Sequence, residues 1–232
     1  MKIGIIGAMD SEVDGLKHQL EDYTVESIST VDFFSGKLCG VEVIVAKAGV
    51  GKVNAAICAQ TMILAYRPDA IINIGVSGGY HSLNIGDVVV ANAVVEHDMD
   101  TSPLGDPKGY ISGLNLVQMP ANSHLSQQLI SAAERVGVHC KSGLIASGDQ
   151  FINSNSKVEE LYREFHAIAY EMEGASIGHV CTQNKLPFAV LRAISDNGDD
   201  NSNIDFPTFV QMAAERSISI ILGFLTALSK AH

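Results

Sequence analysis

Short runs of β-branched and other apolar residues alternate along the chain with longer segments whose apolar residues recur at helical spacing. The short runs predict buried strands, and the longer periodic segments predict helices. The predicted strands are Ile3–Ile6, Val41–Ala46, Ala70–Ile74, Asp87–Val95, Gly143–Ala146, Ala167–Tyr170 and Phe188–Ile194. The predicted helices are Asp10–Leu20, Lys52–Tyr66, Ser123–Val136, Ser156–Phe165, Gly174–Asn184 and Pro207–Lys230. This alternation predicts a three-layer α/β/α fold around a central, largely parallel (mixed) twisted sheet.

Residues 97–120 form the longest segment without a helical or strand pattern, and they contain three prolines. A loop of this length inside a compact domain is usually functional. The sequence shows no internal repeat, linker or low-complexity segment. Its 232 residues fall in the range of roughly 200–250 residues that is common for one α/β domain. We therefore expect residues 1–232 to form a single domain.

The chain is acidic and lightly charged, with 15 Lys and Arg against 26 Asp and Glu and a net charge of −11. Apolar residues make up 47% of the chain and charged residues 18%, the reverse of the balance that keeps a chain disordered. The arginines are few and scattered, whereas binding to a phosphodiester backbone needs clustered cations. The composition predicts a folded protein that does not bind nucleic acid.

The four cysteines lie far apart and form no CxxC or CxxH pair, so neither a disulfide scaffold nor a zinc knuckle is indicated. The N-terminus turns acidic at Asp10 and Glu12 and lacks the long apolar run and cleavage site of a signal peptide. No apolar stretch approaches the roughly 20 residues of a membrane span. We expect a cytoplasmic protein that does not bind a membrane.

Four short patterns mimic known motifs without completing them. Gly4–Gly7 lacks the GxGxxG spacing of a dinucleotide site, and Gly49–Lys52 lacks the first glycine and the hydroxyl residue of a P-loop. Gly75–Gly79 matches the GxSxG nucleophile elbow, but an elbow leads into a helix and another strand is predicted here. His97–Asp100 offers metal ligands, although such a cluster is more often hydrogen-bonded. We expect no metal site.

Polar side chains follow five of the predicted strands. In open α/β sheets, ligands bind outside the carboxyl ends of the strands, so these side chains are candidates for one site. They include carboxylates, one arginine, one phenylalanine and two methionines, but no cysteine nucleophile and no lysine for a Schiff base. The segments concerned are Met9 to Glu12, Gly75–Gly79, Ser147–Ile152, Glu171–Glu173, Arg192, Ser195 and Asp196.

This inventory suits the cleavage of a glycosidic bond, which passes through an oxocarbenium-like transition state and uses carboxylates as acid and base. A phenylalanine suits a flat heterocycle, because base–aromatic stacking is worth roughly 1–3 kcal/mol. A carboxylate that accepts from two vicinal hydroxyls would hold a ribose. The alternative is that these acids only cap helices, since Glu12 and Glu173 lie near predicted helix starts. The convergence of five strand ends favours a site.

The same residues carry a resemblance to a known family. The matching stretches are Ile3–Met9 with Glu12 following, Gly49–Asn54, Ser147–Ile152, Glu171–Ala175 and Arg192–Asp196. Over essentially its whole length, the chain resembles the bacterial 5'-methylthioadenosine/S-adenosylhomocysteine nucleosidases of the nucleoside phosphorylase superfamily. The resemblance implies a nucleoside phosphorylase-like fold and no cofactor. It also implies hydrolysis of the N-glycosidic bond between adenine and a 5'-thio-substituted ribose, and of 5'-deoxyadenosine in the same way.

The resemblance further implies the catalytic roles. Asp196 would be the general acid that protonates adenine N7, and Glu12 would activate water with help from Arg192. A free Asp titrates near 3.9, so Asp196 needs burial or the purine itself to hold a proton at neutral pH. Arg192 is the only arginine at a predicted strand end, and Glu12 would repel a phosphate dianion. These two observations favour a hydrolase over a phosphorylase.

Substrate-binding roles follow from the same resemblance. Glu173 would bind the ribose hydroxyls, with Met172 packed against the sugar. Phe151 would stack on adenine, and the backbone of Ile152 would bind its edge. The other implied binding residues are Met9, Val50, Ser77, Gly78 and Ser195.

Two departures from the family pattern leave questions open. Many relatives carry Ser-Ala where this chain has Val76 and Ser77, so the direction of the Ser77 side chain decides whether it holds the water. Thr101–Pro107 stands where many relatives carry an aromatic-rich segment that lines the pocket for the 5' group. The preferred 5' group is therefore open, and so is an activity on 6-amino-6-deoxyfutalosine in menaquinone synthesis. A purine nucleoside phosphorylase and a noncatalytic purine-binding module remain alternatives. The resemblance also implies a homodimer.

Overall fold

A computed structural model of the chain describes residues 1–199 and 201–230. Its strands are β1 (Lys2–Gly7), β2 (Glu21–Ile28), β3 (Val31–Leu38), β4 (Val41–Lys47), β5 (Ala70–Gly79), β6 (Val88–Glu96), β7 (Met119–Pro120), β8 (Cys140–Ser147), β9 (Ala167–Glu171) and β10 (Phe188–Asp196). Its helices are α1 (Asp10–Lys17), α2 (Lys52–Tyr66), α3 (Ser123–Arg135), α4 (Asn155–Phe165), α5 (Gly174–Gln183) and α6 (Ser202–Lys230), with a short 3₁₀ helix at Ser102–Leu104.

Every predicted helix and strand is present, and the structure adds the hairpin formed by β2 and β3. The sequence pattern misses β2 because its residues are exposed on both faces, so no apolar alternation marks it. Strand β5 runs through Gly79 rather than ending at Ile74, so the glycine-rich segment is itself a strand. Within residues 97–120, only the 3₁₀ helix and the two-residue β7 are regular, as the sequence predicts.

The strands of the described part of the chain form one mixed sheet in the order β10-β6-β8-β9-β5-β1-β4-β3-β2. Strand β5 also pairs with β10, so the first five strands of this order close into a ring. Strand β1 pairs in parallel with β4 and with β5, and β5 pairs in parallel with β10. Strand β5 pairs with β9 in the antiparallel direction, at Gly78 and Gly79. The end of β5 therefore lies between β9 and β10.

Helices cover both faces of this sheet, which confirms the three-layer prediction. On one face, α1, α3 and α6 pack through residues such as Leu16, Leu129 and Ile221. On the other face, α2 and α5 pack through residues such as Met62 and Ile177. Successive residues of β5 alternate between the two cores because side chains in a strand alternate in direction.

Helix α6 is the one described helix that is long and apolar enough to cross a membrane by length and composition. Half of its most apolar window is buried in this structure. Its apolar side chains, including Ile218, Phe224 and Leu225, belong to the core on the α1 face of the sheet. In this fold, α6 acts as a core helix.

Candidate active site

A cavity of about 260 Å³ opens where β5 ends between β9 and β10. All predicted site residues except Ile152 and Arg192 line it. Five further residues also line it: Ala8, Val76, Tyr170, Glu171 and Phe206. The strand ends singled out in the sequence therefore converge on one concave surface.

Glu12 lies in the first turn of α1 and is 3% exposed. One carboxylate oxygen accepts from the backbone N–H groups of Ala8 (2.6 Å) and Met9 (3.0 Å). The other accepts from the N–H of Val76 on β5 at 3.1 Å. Burial raises the pKa of Glu12 above its ordinary value, while Arg192 and the backbone donors act against this rise. The carboxylate is held in one orientation and is a stronger base than a free one.

Asp196 ends β10 and is 2% exposed. One oxygen accepts from the hydroxyl of Ser195 and the other from the N–H of Gly198, both at 2.9 Å. Burial raises the pKa of Asp196, which favours the protonated form of this acid. Gly78 lies opposite it on β5, where an added Cβ would stand 3.0 Å from an Asp196 oxygen. A glycine there keeps the space beside the acid open.

Strand β5 sets the spacing between these two carboxylates. The Glu12 carboxylate accepts a hydrogen bond from the N–H of Val76, and Asp196 lies opposite Gly78. Two strand residues span about 7 Å. The base and the acid are therefore anchored at two different points near the end of one strand.

Glu173, Glu171 and Arg192 form a buried cluster beside the cavity. Arg192 is 1% exposed, and its guanidinium contacts the Glu171 carboxylate directly and lies 3.8 Å from that of Glu173. Glu173 also accepts from the N–H of Gly51 at 2.9 Å. Burial, together with the neighbouring charge of Glu171, raises the pKa of Glu173 to about 8. Glu173 is therefore a hydrogen-bond donor as well as an acceptor at neutral pH.

Glu171 carries the negative charge of this cluster. Burial opposes its ionisation, but Arg192 and the hydroxyl of Ser147 lower the pKa of Glu171 below its ordinary value. It also accepts from the N–H groups of Glu173 and Gly174 at the start of α5. The sequence placed Glu171 at a strand end, but only its neighbours in space reveal its partners.

The side chains of Arg192 and Ile152 lie behind the cavity wall rather than in it, so the help of Arg192 to Glu12 and the contact of the Ile152 backbone with the base stay predictions. Arg192 is directed towards Asn73, to which it donates at 2.5 Å, and towards Glu171. Ile152 is buried in a small apolar cluster with Val158 and Tyr170. The influence of Arg192 on Glu12 is therefore electrostatic.

Two phenylalanines stand at the cavity. Phe151 is 46% exposed, and its ring meets that of Phe206 edge to face at 5.6 Å. The sequence missed Phe206 because the last helix was predicted to begin at Pro207, whereas α6 begins at Ser202. The pair offers an aromatic face to a flat ligand.

Ser77 lies within β5 and not at a strand-to-helix elbow, which removes the basis for a nucleophilic serine. Its hydroxyl is buried and has no hydrogen-bond partner among the described residues. Alternation along the strand places it on the same face as Gly75, where an added Cβ would stand 2.6 Å from a Glu12 oxygen. Ser77 and Val76 therefore point to opposite faces of β5, with Ser77 on the face that Gly75 shares, and both residues line the cavity.

Metal ligation finds no support in residues 1–199 and 201–230, where no group of three His, Cys, Asp or Glu side chains is placed to hold an ion. The His97–Asp100 pattern resolves into separate roles. The ring of His97 is buried, and Asp98 pairs with Lys52 at 2.6 Å.

Comparison with known proteins gives consistent matches over the whole chain. A family model described as the phosphorylase superfamily matches residues 2–226. A 5'-methylthioadenosine/S-adenosylhomocysteine nucleosidase from Geobacillus sp. (strain WCH70) is 40% identical, over 99% of this chain and 100% of its own.

Solved structures agree with the sequence matches. The nucleosidase of the same name from Neisseria meningitidis, in complex with methylthio-immucillin-A, superimposes with a TM-score of 0.94 at 31% identity, over 97% of this chain and 99% of its own. A futalosine hydrolase from Helicobacter pylori strain 26695 superimposes with a TM-score of 0.93 at 34% identity, over 98% of each chain.

Proposed function

The chain belongs to the phosphorylase superfamily and, within it, to the 5'-methylthioadenosine/S-adenosylhomocysteine nucleosidases, and we propose that it hydrolyses the N-glycosidic bond of both nucleosides. The products are adenine and the 5-thio-substituted ribose, and 5'-deoxyadenosine is cleaved in the same way. The observation that carries this proposal is the convergence of Glu12, Glu173 and Asp196 on one cavity.

Asp196 acts as the general acid at adenine N7. Its raised pKa favours the proton that the departing base needs, and the bonds from Ser195 and Gly198 fix its orientation. Positioned acid catalysis typically contributes 10²–10⁴-fold or so to a rate.

Glu12 activates the attacking water. Its burial raises its pKa towards the range in which a carboxylate is an effective general base. The hydroxyl of Ser77 is buried on the Gly75 side of β5, so Glu12 is the residue that orients this water. Arg192 supports the ionised form of Glu12 through its charge.

The remaining cavity residues bind the nucleoside. Glu173 holds the ribose hydroxyls, and Met172 packs against the sugar. Phe151 stacks on adenine, and the backbone of Ile152 meets the edge of the base. Around them, Met9, Val50 and Gly78 complete the walls of the cavity.

Water, rather than phosphate, is the proposed nucleophile. Arg192, beside the cavity, is already neutralised by Glu171, and the ionised carboxylate of Glu12 would repel a phosphate dianion. Release of adenine from 5'-methylthioadenosine should therefore proceed at the same rate with and without phosphate, and it should give a free sugar. Strong acceleration by phosphate with a ribose 1-phosphate product would replace this proposal with a phosphorylase.

A second candidate substrate is 6-amino-6-deoxyfutalosine, favoured by the likeness to the Helicobacter pylori futalosine hydrolase. The two candidates differ in the group on C5', which the loop 97–120 would meet. Parallel assays of 5'-methylthioadenosine, S-adenosylhomocysteine and 6-amino-6-deoxyfutalosine decide between them by kcat/KM.

We also propose a cytoplasmic homodimer. Helix α2 is apolar on nearly all sides, yet Val53, Ile57 and Leu64 are exposed, the first and last by more than two thirds. A helix of this kind is normally buried. A second copy of the chain on this face would cover it.

A further inference from the structure

A ring of polar contacts outside the cavity ties the start of α2 to the loop after β8. The ammonium of Lys52 lies 2.6 Å from one oxygen of Asp98. The other oxygen of Asp98 accepts from the backbone N–H of Asp149 at 2.9 Å. The carboxylate of Asp149 accepts from the backbone N–H of Lys52 at 2.8 Å. These three contacts therefore link Lys52, Asp98 and Asp149 in a closed ring.

Each segment in this ring also carries a cavity residue. Gly51 precedes Lys52, and its N–H donates to Glu173 at 2.9 Å. Phe151 follows Asp149 by two residues and lines the same cavity. Gly51 has a φ of +100°, and an added Cβ would stand 3.1 Å from the Asp149 carboxylate. Asp149 therefore packs directly against the residue that bonds to Glu173.

The ring is partly buried and stays charged. The side chains of Lys52 and Asp98 are 19% and 21% exposed. Burial opposes both charges, but their mutual hydrogen bond raises the pKa of Lys52 and lowers that of Asp98. Glu96, which is 3.2 Å from the Lys52 ammonium, adds to the attraction. Shielded pairs hold geometry better than fully solvated pairs, which contribute little.

We propose that Lys52, Asp98 and Asp149 are positioning residues that hold Glu173 and Phe151 in register, so that the sugar and the base of one nucleoside are bound together. This inference rests on the proposed function, which assigns the sugar to Glu173 and the base to Phe151. None of the three residues lines the cavity, so they act through the Gly51 N–H and through the path of the 147–152 segment.

Replacing Lys52 by Met removes the ammonium and keeps the backbone N–H that Asp149 accepts. We expect kcat/KM for 5'-methylthioadenosine to fall roughly 10- to 100-fold, as small displacements of binding groups do. Lys17→Met is the matched control, because the Lys17 side chain is 16% exposed and its ammonium pairs with Asp14 at 3.0 Å on α1, outside the cavity. The control should stay within twofold of the parent.

A double-mutant cycle separates positioning from general stability. If Lys52 acts through Glu173, Lys52→Met should cost less than about threefold in a Glu173→Ala background. A full effect in that background, or parent-like kinetics of Lys52→Met, would overturn the proposal. A second pair of variants tests the proposal even if Lys52→Met fails to fold. Asp149→Asn keeps an accepting oxygen and should retain most activity, whereas Asp149→Ala should not. Equal activity of these two variants would also overturn the proposal.

The dissociation constant of methylthio-immucillin-A is measured for the same variants. This constant reports on the ring whether or not the parent turns over nucleosides, and the same cycle with Glu173→Ala applies to it. A parent that binds this nucleoside analogue but releases no adenine would contradict the proposed function alone. If the parent is active and the ring variants bind and react like the controls, only the proposed positioning role of the ring is contradicted.

Discussion

Three carboxylates of the cavity have different properties because their surroundings differ. Glu12 accepts three backbone N–H groups, Asp196 accepts one N–H and one hydroxyl, and Glu173 stands beside an ionised neighbour, Glu171. Burial raises the pKa of all three, and neighbouring negative charges add to this rise for Glu173, next to Glu171, and more weakly for Asp196, near Asp205. The sequence identified these acids, but the partners that other segments supply, Val76 for Glu12 and Gly51 for Glu173, lie far away along the chain.

Glu173 should lose a proton when nucleoside binds. Its pKa of about 8 keeps it protonated in the free enzyme at pH 7, and accepting bonds from ribose hydroxyls favours the ionised form. Calorimetric binding of methylthio-immucillin-A at pH 7, in buffers of different ionisation enthalpy, should therefore show more proton release for the parent than for Glu173→Gln. Equal proton release by the two proteins would contradict the role of Glu173.

In the Glu12→Gln variant, the side chain should keep its shape and lose its basicity. The amide oxygen can still accept from Ala8 and Met9, whereas the amide NH₂ can neither accept from Val76 nor take a proton from water. We expect kcat to fall by about 10²–10⁴-fold with little change in the dissociation constant of methylthio-immucillin-A. A loss confined to binding would contradict the assignment of Glu12 as the base.

At the scale of elements, β5 organises the site. The end of this strand pairs with both β9 and β10, carries the N–H that binds Glu12 and lies opposite Asp196. The sequence predicts the apolar half of β5, but it cannot show that the glycines continue the strand, since glycines are usually read as turns. The hairpin of β2 and β3 escapes prediction for a related reason, because an exposed edge strand lacks a buried face.

Gly75→Ala tests this organisation directly. The added methyl would stand 2.6 Å from a Glu12 oxygen, so the carboxylate must move. We expect kcat/KM to fall at least about 100-fold, with a stability loss of about 1–3 kcal/mol for the overpacked position. Gly113→Ala is the control, because nothing lies within 4 Å of its added Cβ. Parent-like activity of Gly75→Ala would show that Glu12 does not depend on this close approach.

At the scale of the whole molecule, sequence reasoning succeeds where residue pattern and local burial coincide. The three-layer fold and the clustering of strand ends follow from alternation alone. What alternation cannot supply is the closure of the sheet through β5 and β10, because pairing partners are set by the tertiary fold. That closure brings β10, with Arg192 and Asp196, beside the end of β5.

The exposed apolar face of α2 gives a prediction at the same scale. The double variant Val53→Lys/Leu64→Lys should be a monomer, whereas the parent should be a dimer, as measured by light scattering. Both side chains are largely exposed on the single chain and would be buried in a dimer, where two charges would not be tolerated. Val136→Lys is the control, since Val136 is 40% exposed at the end of α3, which packs on the opposite face of the sheet from α2. A parent that is monomeric, or a double variant that stays dimeric, would contradict this assignment.

The turnover of Asp196→Asn tests the central claim, acid-catalysed hydrolysis at this cavity, most directly. Asparagine keeps the shape and the accepting oxygen of the side chain but cannot deliver a proton to adenine N7. We expect a folded protein that still binds methylthio-immucillin-A and releases adenine from 5'-methylthioadenosine at least about 100-fold more slowly than the parent. Adenine release within a few-fold of the parent would contradict it.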